Sequence, residues 1–326
     1  MKEERRKRRE DFFIFHLSSF IFHLSSLISH LSSLISHLSS LIMIGYEKIL
    51  EELHRQSALQ PARAPMFALY CDLLAAQARV QVHPREYAGI AQIAPPRVER
   101  GLPVLPPEAF RADCAALARL SDEICAITAR HRADLRDALD ATRVWLAQER
   151  AAILAHAIEY LQDGAFARAQ AAGLDQALLA FVFNHALHPF LRTYAQVLSP
   201  FVDVSIWFRT TCPVCGGAPD FAALSKDSGA RILLCARCDF EWAFWRGTCP
   251  FCENDDPDQQ KYFASDDEVY RLYTCAKCGR YIKTIDLRQV ADERILPVER
   301  ILTIPLDLAA REVGAAPLPA NPTADG

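Results

Sequence analysis

Apolar residues recur at i, i+3 and i+4 over much of residues 46–205, the spacing that lays one hydrophobic stripe along an α-helix. The pattern predicts helices over residues 47–57, 64–81, 107–130, 132–163 (with a break inside it) and 174–198. Pro106-Pro107 opens the third, a favourable first-turn place for proline, and Gly164 and Gly173 punctuate the later ones. The proline-rich stretch 93–107 reads as a loop. Ala151, Ala152, Ala155 and Ala157 suit close helix packing in a bundle.

After Phe201 the period changes. Residues 207–286 hold β-branched and aromatic runs broken by cysteine-bearing turns. Strands are expected at 231–234 and 240–245 around one turn, and at 269–273 and 281–285 around another. One further helix is expected at 306–313, before a Pro/Ala tail too poor in large apolar residues to hold a fold. The reading is α+β: a helical domain over 43–205, two tandem ribbon-type modules over 206–288, and a helix with a disordered tail over 289–326.

Residues 15–42 fit neither part. They repeat every seven residues, as FHLSSFI, FHLSSLI, SHLSSLI and SHLSSLI. A signal anchor would explain the basic start, with Arg8-Arg9 like a twin-arginine pair, but a histidine and two serines per repeat make a poor apolar core. A heptad helix would gather Leu24, Leu27, Ile28, Leu31, Leu34 and Ile35 on one face, without the flanking charges of a good coiled coil. The favoured expectation is a translated 21-nucleotide repeat upstream of a true start at Met43, with residues 1–42 outside the fold.

The chemistry lies in the turns. Four Cys-x-x-Cys pairs occupy 67 residues: Cys212/Cys215, Cys235/Cys238, Cys249/Cys252 and Cys275/Cys278. One pair grips a metal ion from a single turn, and two pairs brought together make a tetrahedral four-sulfur site. The gaps of 19, 10 and 22 residues favour first with second and third with fourth, because each long gap accommodates a β-hairpin. Two sites are therefore expected, from Cys212, Cys215, Cys235 and Cys238, and from Cys249, Cys252, Cys275 and Cys278. Gly216 and Gly279 follow a second cysteine, where a knuckle needs positive φ and aims backbone amides at the sulfurs. Iron or zinc suits four thiolates, and a closed site is structural or electron-carrying rather than hydrolytic. The remaining Cys71, Cys114 and Cys125 lie in helical patterns and read as small core residues.

Charge narrows the function. Residues 1–42 carry six basic and four acidic groups, leaving 30 against 36 in the remainder, a net of −6. Residues 207–283 hold ten basic and eleven acidic side chains, which disfavours a zinc-ribbon nucleic-acid binder. His185 and His188, three apart on a helix, read as packed or surface residues for want of a third ligand. Trp207, Trp242 and Trp245 read as packing over the first module, and the acidic run 253–258 as a solvated loop. There is no GxGxxG, P-loop, GxSxG or HExxH motif.

The order CPVCGGAP, LLCARCDFEW, CPFC and YTCAKCGRYIKTIDL resembles the formate dehydrogenase accessory protein family, FdhE. The likeness is most specific over residues 205–290 and extends to about 46–313. It implies a helical domain followed by two rubredoxin-like modules, with all eight motif cysteines matched and iron favoured over zinc. It further implies a cytoplasmic, non-enzymatic assembly factor that binds the catalytic subunit of a formate dehydrogenase and supports its maturation, while the charge balance argues against a nucleic-acid partner and the want of another long apolar stretch against a membrane one. A rubredoxin-type electron carrier is the main alternative.

Overall fold

In a computed structural model of the chain, residues 43–83, 94–163 and 166–312 are described. The heptapeptide repeat and the C-terminal tail lie outside them. The helical part comprises α1 (Tyr46–Leu59), α2 (Ala64–Ala78), α3 (Ala94–Glu99), α4 (Cys114–His131), α5 (Arg136–Gln148), α6 (Ile153–Asp163), α7 (Ala167–Ala171) and α8 (Gln176–Leu198). Two aspartates set the starts of the long helices. Asp113 accepts from the Ala116 amide ahead of α4, and Asp175 accepts from the Ala177 and Leu178 amides ahead of α8. The prolines at 106–107 open only one 3-10 turn, Pro107–Ala109, so the helix expected from 107 begins at Cys114. The stretch read as a loop contains the short α3, and the long element expected over 132–163 splits into α5 and α6 at the turn Arg150–Ala152. Helix α8 forms the centre of the bundle, burying Val182, Phe183, Leu187, Phe190 and Tyr194.

Six strands follow: β1 (Pro219–Leu224), β2 (Arg231–Cys235), β3 (Glu241–Phe244), β4 (Gln260–Ala264), β5 (Tyr270–Cys275) and β6 (Tyr281–Asp286). Each half of this region repeats one plan: a cysteine turn, two strands, a second cysteine turn and a third strand. The halves are fused. The sheet order is β3-β2-β1-β6-β5-β4, every pairing antiparallel except the parallel β1–β6 pair that joins the first strand of one half to the last strand of the other. Sequence patterning missed β1, where Ala222 and Ala223 weaken the strand signal, and β4, which follows the acidic run.

Two further helices, α9 (Leu296–Leu302) and α10 (Ile304–Glu312), stand where the sequence suggests one. Val298, Ile301 and Leu302 of α9 share a core with Ile49 and Leu53 of α1 and Phe67 of α2. Leu296 joins Phe221, Ala223, Leu234 and Ile285 on the sheet, so the segment after β6 ties helices to sheet. Buried Arg231 of β2 ties the halves together. Its guanidinium donates to the Trp245 and Thr248 carbonyls in the connection between them and lies 5.0 Å from the Tyr273 ring centroid of β5. No helix among the described residues is long and apolar enough to cross a membrane.

Asp286 ends β6 beside β1, fully buried, and pairs with Arg271 at 2.7 Å and Arg288 at 2.6 Å. Hydrogen bonds from Arg288 hold its carboxyl below the ordinary aspartate value. Replacing it with asparagine leaves Arg271 buried without its counter-charge and should lower unfolding free energy by about 3 kcal/mol at neutral pH. A depressed carboxylate contributes stability above its unfolded value of about 4 and loses it as pH falls through its folded value. Urea unfolding should therefore show the gap between wild type and Asp286→Asn narrowing below that pH.

Candidate metal centre

All four cysteine turns have one backbone design. The amide of the residue after the second cysteine donates to the carbonyl of the first: Gly216 to Cys212 at 3.0 Å, Asp239 to Cys235 at 3.3 Å, Glu253 to Cys249 at 3.1 Å and Gly279 to Cys275 at 2.8 Å. The first cysteine's own amide donates five residues onward, to the carbonyls of Gly217, Phe240, Asn254 and Arg280. The chain closes so tightly only if the residue after the second cysteine turns left-handed, and its φ is +72° at Gly216, +57° at Asp239, +56° at Glu253 and +68° at Gly279. Glycine marks two of these positions in the sequence. The other two carry acidic residues and give no comparable signal.

The turns meet in pairs, first with second and third with fourth. Cys212, Cys215, Cys235 and Cys238 form one group and Cys249, Cys252, Cys275 and Cys278 another, with the sulfurs of each within 4.8 Å of one another. The sulfur–sulfur separations are 3.7 Å for Cys212–Cys238, 3.5 Å for Cys215–Cys235, 3.7 Å for Cys249–Cys278 and 3.8 Å for Cys252–Cys275. A disulfide needs about 2.05 Å. A tetrahedral ion with bonds of about 2.3 Å sets its sulfurs about 3.8 Å apart. Each group could therefore hold one metal ion, and iron and zinc both match the donor set.

The first group is buried throughout, the second only at Cys249 and Cys275. Burial pushes the Cys212 and Cys238 thiols up, while Cys215 is held well below the ordinary thiol value because Cys212, Cys235 and Cys238 donate toward it. Burial favours the protonated form of Cys212 and Cys238, so loading a cation there must displace protons. In the second group burial raises Cys249 and Cys278; it also opposes ionisation of Cys275, but the Cys278 and Lys277 amides outweigh it and lower that thiol.

The helical bundle encloses the first group. The Val104 and Leu105 amides donate to the Pro213 and Val214 carbonyls of the first turn. On the second turn, Arg237 donates to the Tyr160 and Leu161 carbonyls at the end of α6, a site that favours a cation, and its own amide reaches the Cys235 sulfur at 3.4 Å. Asn184 of α8 donates to the Ala236 carbonyl. Asp239 accepts from Arg192 at 2.7 Å, Arg300 at 2.8 Å and His188 at 3.1 Å, and its carboxyl is held well below the ordinary value: burial opposes ionisation, but the His188, Arg300 and Arg192 charges outweigh it. These partners are distant in sequence, and no local pattern points to them.

His188 thus has the nearby carboxylate that the sequence did not reveal, and its Nδ1 faces the Tyr46 hydroxyl at 2.8 Å. His185 lies against Gln77 and the Tyr70 and Phe181 rings, and burial lowers it to about 3. It lines a cavity of about 200 Å³ that also includes Tyr70, Asp220, Ala236, Lys283 and Arg300. Of the tryptophans, Trp207 and Trp242 are buried and donate to the Thr211 and Arg209 carbonyls, whereas Trp245 is 58% exposed and stacks on Phe208. Cys125 is a core residue as expected, but Cys71 is only half-buried and Cys114 is exposed at the start of α4.

The left-handed positions generate a stability test. Glu253 is exposed, so its side chain contributes little packing to offset the strain of its positive φ. Glu253→Gly should stabilise the protein by about 1 kcal/mol and Gly279→Ala should destabilise it by a similar amount, read as opposite shifts of the denaturant midpoint.

Residues 211–246 match the family model described as "FdhE, central domain". A "Protein FdhE homolog" of Aquifex aeolicus is 36% identical over 147 residues, covering 44% of this chain and 50% of that protein. The homolog of Haemophilus ducreyi is 29% identical over 151 residues, covering 45% and 48%. The aligned part of the chain thus spans about half the length of these curated relatives. The crystal structure of the FdhE protein from Pseudomonas aeruginosa superposes with a TM-score of 0.53 at 19% identity, covering 85% of this chain and 95% of that one, which shows the shared fold. The α+β architecture, the cysteine-turn region and these likenesses agree: the chain is similar to FdhE proteins in its cysteine-turn sequence and in its fold.

Proposed function

We propose that this chain is a cytoplasmic accessory protein for a formate dehydrogenase, which binds the catalytic subunit and supports its maturation without catalysing a reaction itself. The observation that carries this reading is the pair of four-cysteine groups in a chain whose cysteine-turn region is similar to the FdhE central domain. Its eight ligands are Cys212, Cys215, Cys235 and Cys238 at the first site and Cys249, Cys252, Cys275 and Cys278 at the second. Four thiolates leave no coordination position for water or substrate, so a metal there braces the fold or carries an electron. The first site, walled in by the bundle, suits bracing. The second, with Cys252 and Cys278 half-exposed, suits contact or electron exchange with a client. That exposure also favours the second reading, a rubredoxin-type electron carrier.

Anaerobically purified protein should contain about two equivalents of iron plus zinc. Serine at both Cys249 and Cys252 should remove one equivalent and leave the helical circular-dichroism signal unchanged. Co-purification from cells should capture the formate dehydrogenase catalytic subunit, and loss of the chain should lower formate oxidation by that enzyme. An intact client activity in cells without this protein would refute the accessory role. A ferric-thiolate spectrum that cycles with a reductant, with no client captured, would favour the electron carrier.

A further inference from the structure

The sheet has two edges, and they are unlike. At β3, Trp242 and Phe244 are buried and the Trp242 ring donates to Arg209. At β4, the residues from Lys261 to Ala264 are exposed, with Tyr262 at 55% and Phe263 at 47%.

The hydrogen-bond phase of β4 follows from its ends. The Gln259 carbonyl accepts from Ala276 and the Ser265 amide donates to Tyr270, so odd-numbered residues bond inward to β5. In an antiparallel ladder the alternate residues, Gln260, Tyr262 and Ala264, then turn their N–H and C=O groups outward. Sheet edges are ordinarily blunted by proline, bulges or inward charges. Here one lysine is the only charge on the strand, and its own backbone bonds inward.

Tyr262 and Phe263 lie on opposite faces. Tyr262 packs on the Tyr273 ring at 5.4 Å beneath the Arg271 guanidinium, which is itself paired with Asp286. Phe263 lies opposite Leu272, on the face covered by α10. Each end of the strand is acidic. Glu253, Asp255 and Asp258 are exposed before it, and Asp266, Asp267 and Glu268 after it, against the exposed Lys261 and Lys277.

We propose that the β4 edge captures an extended segment of a partner protein by strand addition, and that this segment carries Lys or Arg at both ends and apolar side chains between them. Main-chain bonds at Gln260, Tyr262 and Ala264 hold the segment, the two aromatic rings flank its middle, and the acidic clusters select its ends. The inference deepens the client-binding reading and rests on it for the identity of the partner, not for the chemistry of the segment.

The test uses the full chain and a fluorescent nine-residue peptide with paired lysines at each end of a valine–threonine core. It should bind, more weakly as salt is raised, and its glutamate-ended counterpart should not. Tyr262→Pro removes an outward N–H and leaves the β5 ladder intact, so it should weaken binding about tenfold or more with unchanged circular dichroism. Should that variant fail to fold, the exposed triple change Asp255→Lys, Asp258→Lys and Asp266→Lys should abolish the preference for lysine ends. Equal binding of both peptides, or undiminished binding by these variants, overturns the proposal. Co-purification separates the two readings. Catalytic subunit captured by wild type and lost with Tyr262→Pro supports both. Equal capture by the two overturns the edge and leaves the accessory role standing, whereas no capture by wild type overturns the accessory role and leaves the edge to the peptide result.

Discussion

The carboxylate of Asp239 is the constraint on which the arrangement of the other parts depends. It sits immediately after a cysteine of the first site, in a left-handed conformation that the turn imposes, and is almost wholly buried. Burying that charge is unfavourable without compensation, and the compensation comes from three side chains on two helices. Arg192 and His188 reach it from α8 and Arg300 from α9, while Arg192 also donates to the Ile44 carbonyl ahead of α1. Withdrawing the carboxylate would leave two guanidinium groups inside the molecule without their chief counter-charge, a larger loss than the pair's net contribution when intact. The turn that presents two sulfurs therefore also presents the anion that fixes the bundle and the C-terminal helices around it.

The same turn geometry, used four times, yields two unequal sites. A divalent ion in four thiolates leaves a surplus of negative charge that its surroundings must offset. At the first site the offset is built in: Arg237 is steered by α6 carbonyls, its amide points at a sulfur, and all four cysteines are buried. At the second, the Asn254 side chain lies 3.9 Å from the Cys275 sulfur and Arg280 lies over Phe251, but solvent reaches Cys252 and Cys278. The enclosed site is coupled to the helices through Arg237 and Asp239, whereas two cysteines of the other site are partly exposed.

The parallel β1–β6 pair explains why two repeated halves do not behave as beads on a string. Two lone three-stranded units would expose four edges. Pairing the first strand of one with the last strand of the other removes two, and buried Arg231 locks the connection between them. The edges that remain are not equivalent, because Trp242 and Phe244 of β3 are buried whereas Lys261 to Ala264 of β4 are exposed.

Much of this was written locally in the chain. A helical stripe needs only residues three and four apart, so the helices containing Leu53, Phe67, Leu120 and Phe183 were readable from spacing. A metal turn needs only two cysteines three apart, so both sulfur groups were readable as well, together with the glycines at 216 and 279. Helix starts were less so: proline at 107 promised an early beginning, and the chain instead starts α4 where Asp113 caps it. What the sequence did not contain was any short-range sign of which strands pair, which site is enclosed, or where charged side chains find partners. Strand β1 is too small-sided and β4 too exposed to show a strand pattern. Arg192 meets Asp239 across 47 positions and Arg300 meets it across 61. Periodicity and motif spacing are properties of neighbouring residues, whereas burial and the pairing of buried charges exist only once distant segments share one interior, and only the tertiary structure decides them.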